Sequence, residues 1–157
     1  MSTSVKSSPS AVKPQGCTNF KLRQLLRQVN QGYDASLTES GLKITQYSLL
    51  SHIVSLAPVR SVDLAEKMMM DTSTLSRNLK PLLNAGLIAF QATQDSRSHW
   101  VVATPLGQEA RQKAHKQWKQ AQEALNKQLG PARVLRLHQL IDEALVQLSG
   151  NKLSERI

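Results

Sequence analysis

The stretch SVDLAEKMMMDTSTLSRNLKPLLNAGLIAFQATQDSRSHWVV, residues 61–102, decides how the whole chain is read. Its first segment, VDLAEKM, places Leu64, Ala65 and Met68 on one side of a helix, and Ser61 before it is a good N-cap. Ala65 is small where a second helix, crossing steeply, needs room. Asp71 caps that second helix, and its carboxylate also meets the positive end of the helix dipole. Leu75, Leu79, Leu82 and Leu83 form the second helix's buried stripe. Pro81 removes one backbone hydrogen bond and crowds the preceding turn, at a cost of ~3 kcal/mol, so a kink or early loosening is expected there. Gly86 ends the helix. Leu87–Gln91 and His99–Ala103 then read as two strands joined by the polar tip ATQDSRS. Helix, tight turn, helix and hairpin in this order make a winged helix-turn-helix.

Opposite the leucines, the second helix carries Ser73, Ser76, Arg77 and Lys80, with Thr74 at the edge. Short hydroxyl side chains let a helix sit deep in a DNA major groove, and Arg77 has the reach for a bidentate contact to guanine. Lys80 is placed to meet phosphate. At the hairpin tip, Arg97 beside Asp95 suits a narrow minor groove, whose negative potential attracts arginine. An Asp–Arg pair that only stiffens the turn is compatible with that role, as a solvated polar face is with the helix.

The 157 residues carry a net charge of +9, which points to a polyanionic partner. Aromatics are only 4% of the chain, favouring helix packing over a β-rich core. No apolar run approaches the ~20 residues that span a bilayer, so no membrane role is expected. Residues 1–16, rich in Ser, Pro and Lys, read as a flexible arm and lack the apolar centre of a secretory signal. The single cysteine, Cys17, excludes a disulfide framework, and a cytoplasmic location is the default. The four histidines show no convincing metal-ligand spacing, and neither a phosphate loop nor a nucleophile–base pair is present. No metal, cofactor or enzyme activity is therefore expected.

Outward from the winged core, taken as about 45–104, helices are predicted at about 17–40 and 105–149 within one domain, 17–157. Leu22, Leu26, Val29, Tyr33 and Leu37 share a face in the first, which Leu25 widens and Gly41 closes. Thr45 is the expected N-cap of QYSLLSHIVSL, with Tyr47, Leu50, Ile53 and Val54 inward and Pro58 as its stop. Thr104-Pro105 opens the longest helix, whose face is Leu106, Ala110, Ala114, Trp118, Ala121, Leu125 and Leu129. Gly130-Pro131 separates it from a last helix bearing Val134, Leu137, Ile141, Leu145 and Leu148. These terminal helices carry more apolar surface than a winged unit covers, which predicts a helical homodimer interface. The fold class is thus mainly α with a small β-hairpin wing, flanked by N- and C-terminal dimerisation helices.

From Asp63 to Gly107, the Leu-Ala pair, the capped Thr-Leu-Ser-Arg helix, Gly-Leu-Ile, Asp-x-Arg and Thr-Pro-Leu-Gly resemble the winged helix of the MarR family of bacterial regulators. With the flanking helices, the resemblance spans roughly residues 17–149. Met69 departs from it, since many members have a smaller residue in that turn. The resemblance implies a two-fold symmetric dimer on a pseudo-palindromic double-stranded DNA operator, usually a repressor, with recognition helices in major grooves about 34 Å apart. It also implies release by a signal. One candidate is a small aromatic or carboxylate effector held by Arg23, Tyr33, Tyr47 and His52. The alternative is oxidation of Cys17, as some MarR-like proteins sense hydroperoxides through a cysteine assisted by tyrosines. Cys17 sits about two residues earlier than that pattern. A basic RNA-binding or scaffolding module is the other class considered; it needs exposed aromatic platforms, and the few aromatics here fall mostly on apolar stripes or strands.

Overall fold

The computed structural model describes residues 15–91 and 100–154. Among these described residues, six helices and three short strands follow one another: α1 (Thr18–Ser36), a 3-10 turn (Thr38–Ser40), α2 (Ile44–Leu56), β1 (Val59–Arg60), α3 (Ser61–Lys67), α4 (Thr72–Asn84), β2 (Ile88–Gln91), β3 (Trp100–Ala103), α5 (Pro105–Leu129) and α6 (Pro131–Ser154). The strands form an antiparallel sheet in the order β1-β3-β2, with Val59 opposite Val101 and Phe90 opposite Val101 on the other side. β1 is an addition to the predicted hairpin; two residues are too few to show alternation in sequence.

The core lies where α2, α3, α4 and β3 meet. Leu49, Leu50 and Ile53 of α2, Leu64 and Ala65 of α3, Leu75, Leu79 and Leu82 of α4, and Val101 of β3 are all buried. α4 runs on through Pro81 to Asn84 with no early end, because the proline sits on its exposed face and Leu79 and Leu82 hold the turn inside. In α5 the small face is inward as predicted at Ala114 and Ala121, but Leu106 is 55% exposed. Its first-turn place in α5 is given to Gly107, which faces the sheet.

Two expected caps are displaced. α2 starts two residues before QYSLLSHIVSL at Ile44, and Thr45 lies exposed inside its first turn. The backbone N–H of Lys43 donates instead to Gln46 Oε1 at 2.9 Å, and that of Ile44 to Asp34 Oδ1 at 2.7 Å. A carboxylate from α1 thus satisfies a helix end ten residues on, which no local hydroxyl pattern reveals. Likewise α3 begins at Ser61 with Arg60 as N-cap. Arg60 already has the extended backbone a cap needs because it closes β1 opposite Trp100, and its guanidinium holds Asp63 at 2.7 and 2.8 Å.

α3 and α4 end in the same Schellman motif, in which the residue just past the cap is left-handed. After α4 this is Gly86 (φ 68°), with Gly86 N–H donating to Leu83 O at 2.9 Å and Leu87 N–H to Leu82 O at 3.0 Å. After α3 it is Met69 (φ 52°), with Met69 N–H on Glu66 O at 3.0 Å and Met70 N–H on Ala65 O at 2.8 Å. The helix-turn-helix turn is therefore tight despite the methionine, whose side chain is 67% exposed. A Cβ in the left-handed region costs roughly 1–2 kcal/mol. Met69→Gly is accordingly expected to stabilise the fold by about 1 kcal/mol, seen as a higher denaturation midpoint at unchanged slope.

The sheet and α5 are joined at Gly107. A Cβ there would lie 1.8 Å from the carbonyl oxygen of Leu87, so only glycine allows this approach. Thr104 seals the junction: its N–H donates to Leu87 O at 3.0 Å, its hydroxyl donates to Gly86 O at 2.7 Å and accepts from Gly107 N–H at 3.0 Å. Gly107→Ala is expected to destabilise by about 1–3 kcal/mol through overpacking, whereas Gly32→Ala, with open space around it, should not; urea unfolding compares the two.

Candidate nucleic-acid interface

The first turn of α4 is organised by Asp71. Its Oδ1 accepts from the Thr74 backbone N–H at 2.7 Å and from the Ser73 hydroxyl at 2.5 Å, and its Oδ2 accepts from the Thr74 hydroxyl at 2.7 Å. The Ser73 hydroxyl, then the hydroxyl and backbone N–H of Thr74, hold the Asp71 carboxyl well below the usual carboxylate range, so it is ionised at neutral pH. One turn on, Arg77 Nη2 donates to Thr74 Oγ1 at 3.3 Å. Ser73, Ser76, Arg77 and Lys80 are exposed and Thr74 is half-buried, while Leu75, Leu79 and Leu82 on the other face anchor the helix. Five of the predicted contact residues thus occupy one outward face, its first turn held by a single carboxylate. Asp95 and Arg97 lie outside the described residues.

Lys43 at the start of α2 was not singled out from sequence, yet it borders the same face. With Gln46, Arg77, Asn78 and Pro81 it lines a groove of about 180 Å³ between α2 and α4. Its ammonium also lies 3.7 Å from Asp34. Only the packing of α2 on α4 brings Lys43 beside Arg77.

The residues proposed for an effector or sensor are spread along the helical body. Cys17 is the exposed N-cap of α1 and makes no side-chain capping bond. Arg23 is exposed nearly two turns further on, beside Asn19 and Arg27. Tyr33 is buried, its hydroxyl donates to Gln122 Oε1 of α5, and burial raises its pKa. Tyr47 is buried on α2 with its hydroxyl 2.8 Å from His115 Nδ1, and its ring centroid is 5.9 Å from that of Trp118. His52 Nδ1 donates to the Ser48 carbonyl at 2.8 Å within α2. The two tyrosines therefore dock on one helix, α5, about two turns apart; Cys17, Arg23 and His52 do not join them.

His115 and Gln122 are partners that sequence reading passed over, and Trp118, expected on the apolar face of α5, lies between them. Their spacing along α5 puts them on one side of a helix, which was the available signal. Since the Tyr47 hydroxyl is part-buried, Tyr47→Phe is expected to cost about 1–2 kcal/mol by leaving His115 without its partner, and a double-mutant cycle with His115→Ala in chemical denaturation should show the two losses to be less than additive.

Among the described residues no helix is long and apolar enough to cross a membrane. The MarR family matches residues 42–99 of the chain. The chain is 30% identical to the transcriptional regulator MosR of M. tuberculosis, solved in complex with DNA, over 83% of this chain and 98% of that one, with a TM-score of 0.71. It shares its fold with a mutant MarR from E. coli complexed with operator DNA (20% identity, 81% and 92% of the two chains, TM-score 0.74). The same holds for the S. aureus MepR–DNA complex (17% identity, 85% and 99%, TM-score 0.72). No curated protein matches. The family match covers the winged region that carries the Asp71-capped helix, and the likeness to MosR extends over the flanking helices: the chain belongs to the MarR family and is a transcriptional regulator, not an enzyme.

Proposed function

We propose that the chain acts in the cytoplasm as a homodimeric repressor that binds a pseudo-palindromic DNA operator through α4. One observation carries the reading: α4 turns Ser73, Ser76, Arg77 and Lys80 outward on a helix whose other face is locked into the core. The N-terminal end of a recognition helix is where base edges are met, and relatives of this fold are solved bound to DNA. The net charge of +9 suits a polyanion and speeds its capture.

The homodimer is supported by apolar surface that the chain does not itself cover. Leu22 and Leu26 of α1 are 54% and 58% exposed, and Ile141 and Leu145 of α6 are exposed on the same stripe as the buried Val134. Contiguous apolar surface of this kind marks an interface. A second copy seated there holds the two α4 helices at a fixed distance, which is what a two-fold operator requires.

For the signal, a small aromatic or carboxylate effector is preferred to oxidation of Cys17. A groove of about 370 Å³ between α1, α5 and α6 is lined by leucines together with Tyr33, Gln122, Asn126 and His138. An apolar floor with a few polar anchors is the usual make-up of a small-molecule site. An effector lodged beneath the second copy would favour a different separation of the reading helices, and the population shifts by no more than its preference for that state.

Selection of duplexes from random sequence by the full chain tests the function. Two half-sites related by two-fold symmetry, bound by two chains per duplex, are expected. Arg77→Ala should then relax the preference at one position of each half-site and cost about 1–3 kcal/mol. A chain that enriches no half-site, and binds all duplexes alike, is not an operator-binding repressor.

A further inference from the structure

The hydrogen bonds at the start of α4 bear on which bases it can read. A hydroxyl owns one hydrogen and two lone pairs. The Ser73 hydrogen is committed to Asp71 Oδ1 and the Thr74 hydrogen to Asp71 Oδ2. An ionised carboxylate only accepts, so it cannot return either hydrogen. Thr74 Oγ1 also receives Arg77 Nη2, which leaves it one free lone pair. Ser73, exposed, keeps both of its own.

We infer that Asp71 is a specificity-determining positioning residue: by consuming both hydroxyl hydrogens it makes Ser73 and Thr74 pure acceptors, which select the exocyclic amino groups of adenine or cytosine. This rests on the DNA-reading function proposed above. In the major groove the donors are adenine N6 and cytosine N4, whereas guanine O6 and thymine O4 only accept. A lone-pair-only hydroxyl meets either of the latter with acceptor against acceptor. For the same reason it gains nothing from a phosphate oxygen, so Ser73 and Thr74 are committed to base edges, while Thr72, whose hydroxyl is not among the Asp71 partners, is not. Arg77, with most of its five donors still free, supplies the opposite chemistry one turn later and suits guanine. Each half-site therefore carries amino-bearing bases under Ser73 and Thr74, next to a guanine under Arg77.

Asp71→Asn separates this role from simple capping. Its carbonyl oxygen can still accept from the Thr74 N–H, so the cap is kept. Its amide nitrogen, in the place of Oδ2, donates to Thr74 Oγ1 and turns the Thr74 hydrogen outward. Duplex selection with the full-length wild type and Asp71→Asn is then compared as base ratios at each position, which a uniform gain in affinity from losing a negative charge does not alter. At one position per half-site the preference is expected to move from adenine or cytosine to guanine or thymine by about tenfold, the size of one mismatched contact. Thr74→Val, which removes the hydroxyl and keeps the shape, should flatten that position without reversing it. Identical base ratios in the wild type and Asp71→Asn, or an unchanged preference in Thr74→Val, overturn the inference. If Asp71→Asn does not fold, Thr74→Val and Ser73→Ala decide it, since each must flatten its own position. A wild-type half-site with guanine or thymine at the positions that Thr74→Val and Ser73→Ala flatten sinks this inference alone; a wild type that selects no half-site removes the proposed function with it.

Discussion

The contact between Gly107 and the Leu87 backbone is the constraint on which the rest of the molecule depends. It joins three elements at one point: the end of α4, the start of the sheet and the first turn of α5. A helix can approach a backbone carbonyl this closely only without a Cβ, and Thr104 satisfies the polar groups that the approach would otherwise strand, taking its hydrogen bonds from both sides of the junction. Because the donors and acceptors are all short-range backbone or near-backbone groups, the joint is stiff. The start of α5 is thereby tied to the end of α4 through the Gly86–Leu87 backbone.

That stiffness gives the long helix its meaning. α5 carries the contacts of both buried tyrosines, Gln122 for Tyr33 and His115 with Trp118 for Tyr47, and one wall of the apolar groove beside α1 and α6. Under the proposed function, a change in that groove acts on a rod whose far end is bonded to the tail of the reading helix. Coupling of this kind needs no flexible relay, only two arrangements of rigid pieces that a signal prefers unequally.

At the other end of α4 the organising group is a carboxylate on an otherwise basic protein. Asp71 does two jobs with the same oxygens: it caps the helix and it fixes the hydroxyl hydrogens of Ser73 and Thr74. An alanine would do neither, and a serine cap would leave the hydroxyl hydrogens of Ser73 and Thr74 free to turn. The two turns of the motif make a related comparison. Gly86 and Met69 close identical hydrogen-bond patterns, but the methionine does so with a Cβ in the left-handed region, so the turn between α3 and α4 carries strain that the end of α4 does not.

Sequence by itself determined the helix-turn-helix order, the leucine stripe of α4, the cap at Asp71, the Thr104-Pro105 start of α5, the Gly86 end and the break at Gly130-Pro131, because periodicity and capping are local and each is spelled out within a few residues. The outward face of Ser73, Ser76, Arg77 and Lys80 was legible for the same reason: it is the complement of Leu75, Leu79 and Leu82. What only the tertiary structure decided rests on groups far apart in the chain. Asp34 closing α2 in place of Thr45, Arg60 held extended by Trp100 so that Ser61 need not cap, β1 as a third strand, Gly107 rather than Leu106 turned inward, and the tyrosine partners on α5 all follow from which surfaces meet. A hydrophobic stripe states that a face will be buried; it does not state against what, and hydrogen-bond partners across that contact are chosen only when the backbones are in place.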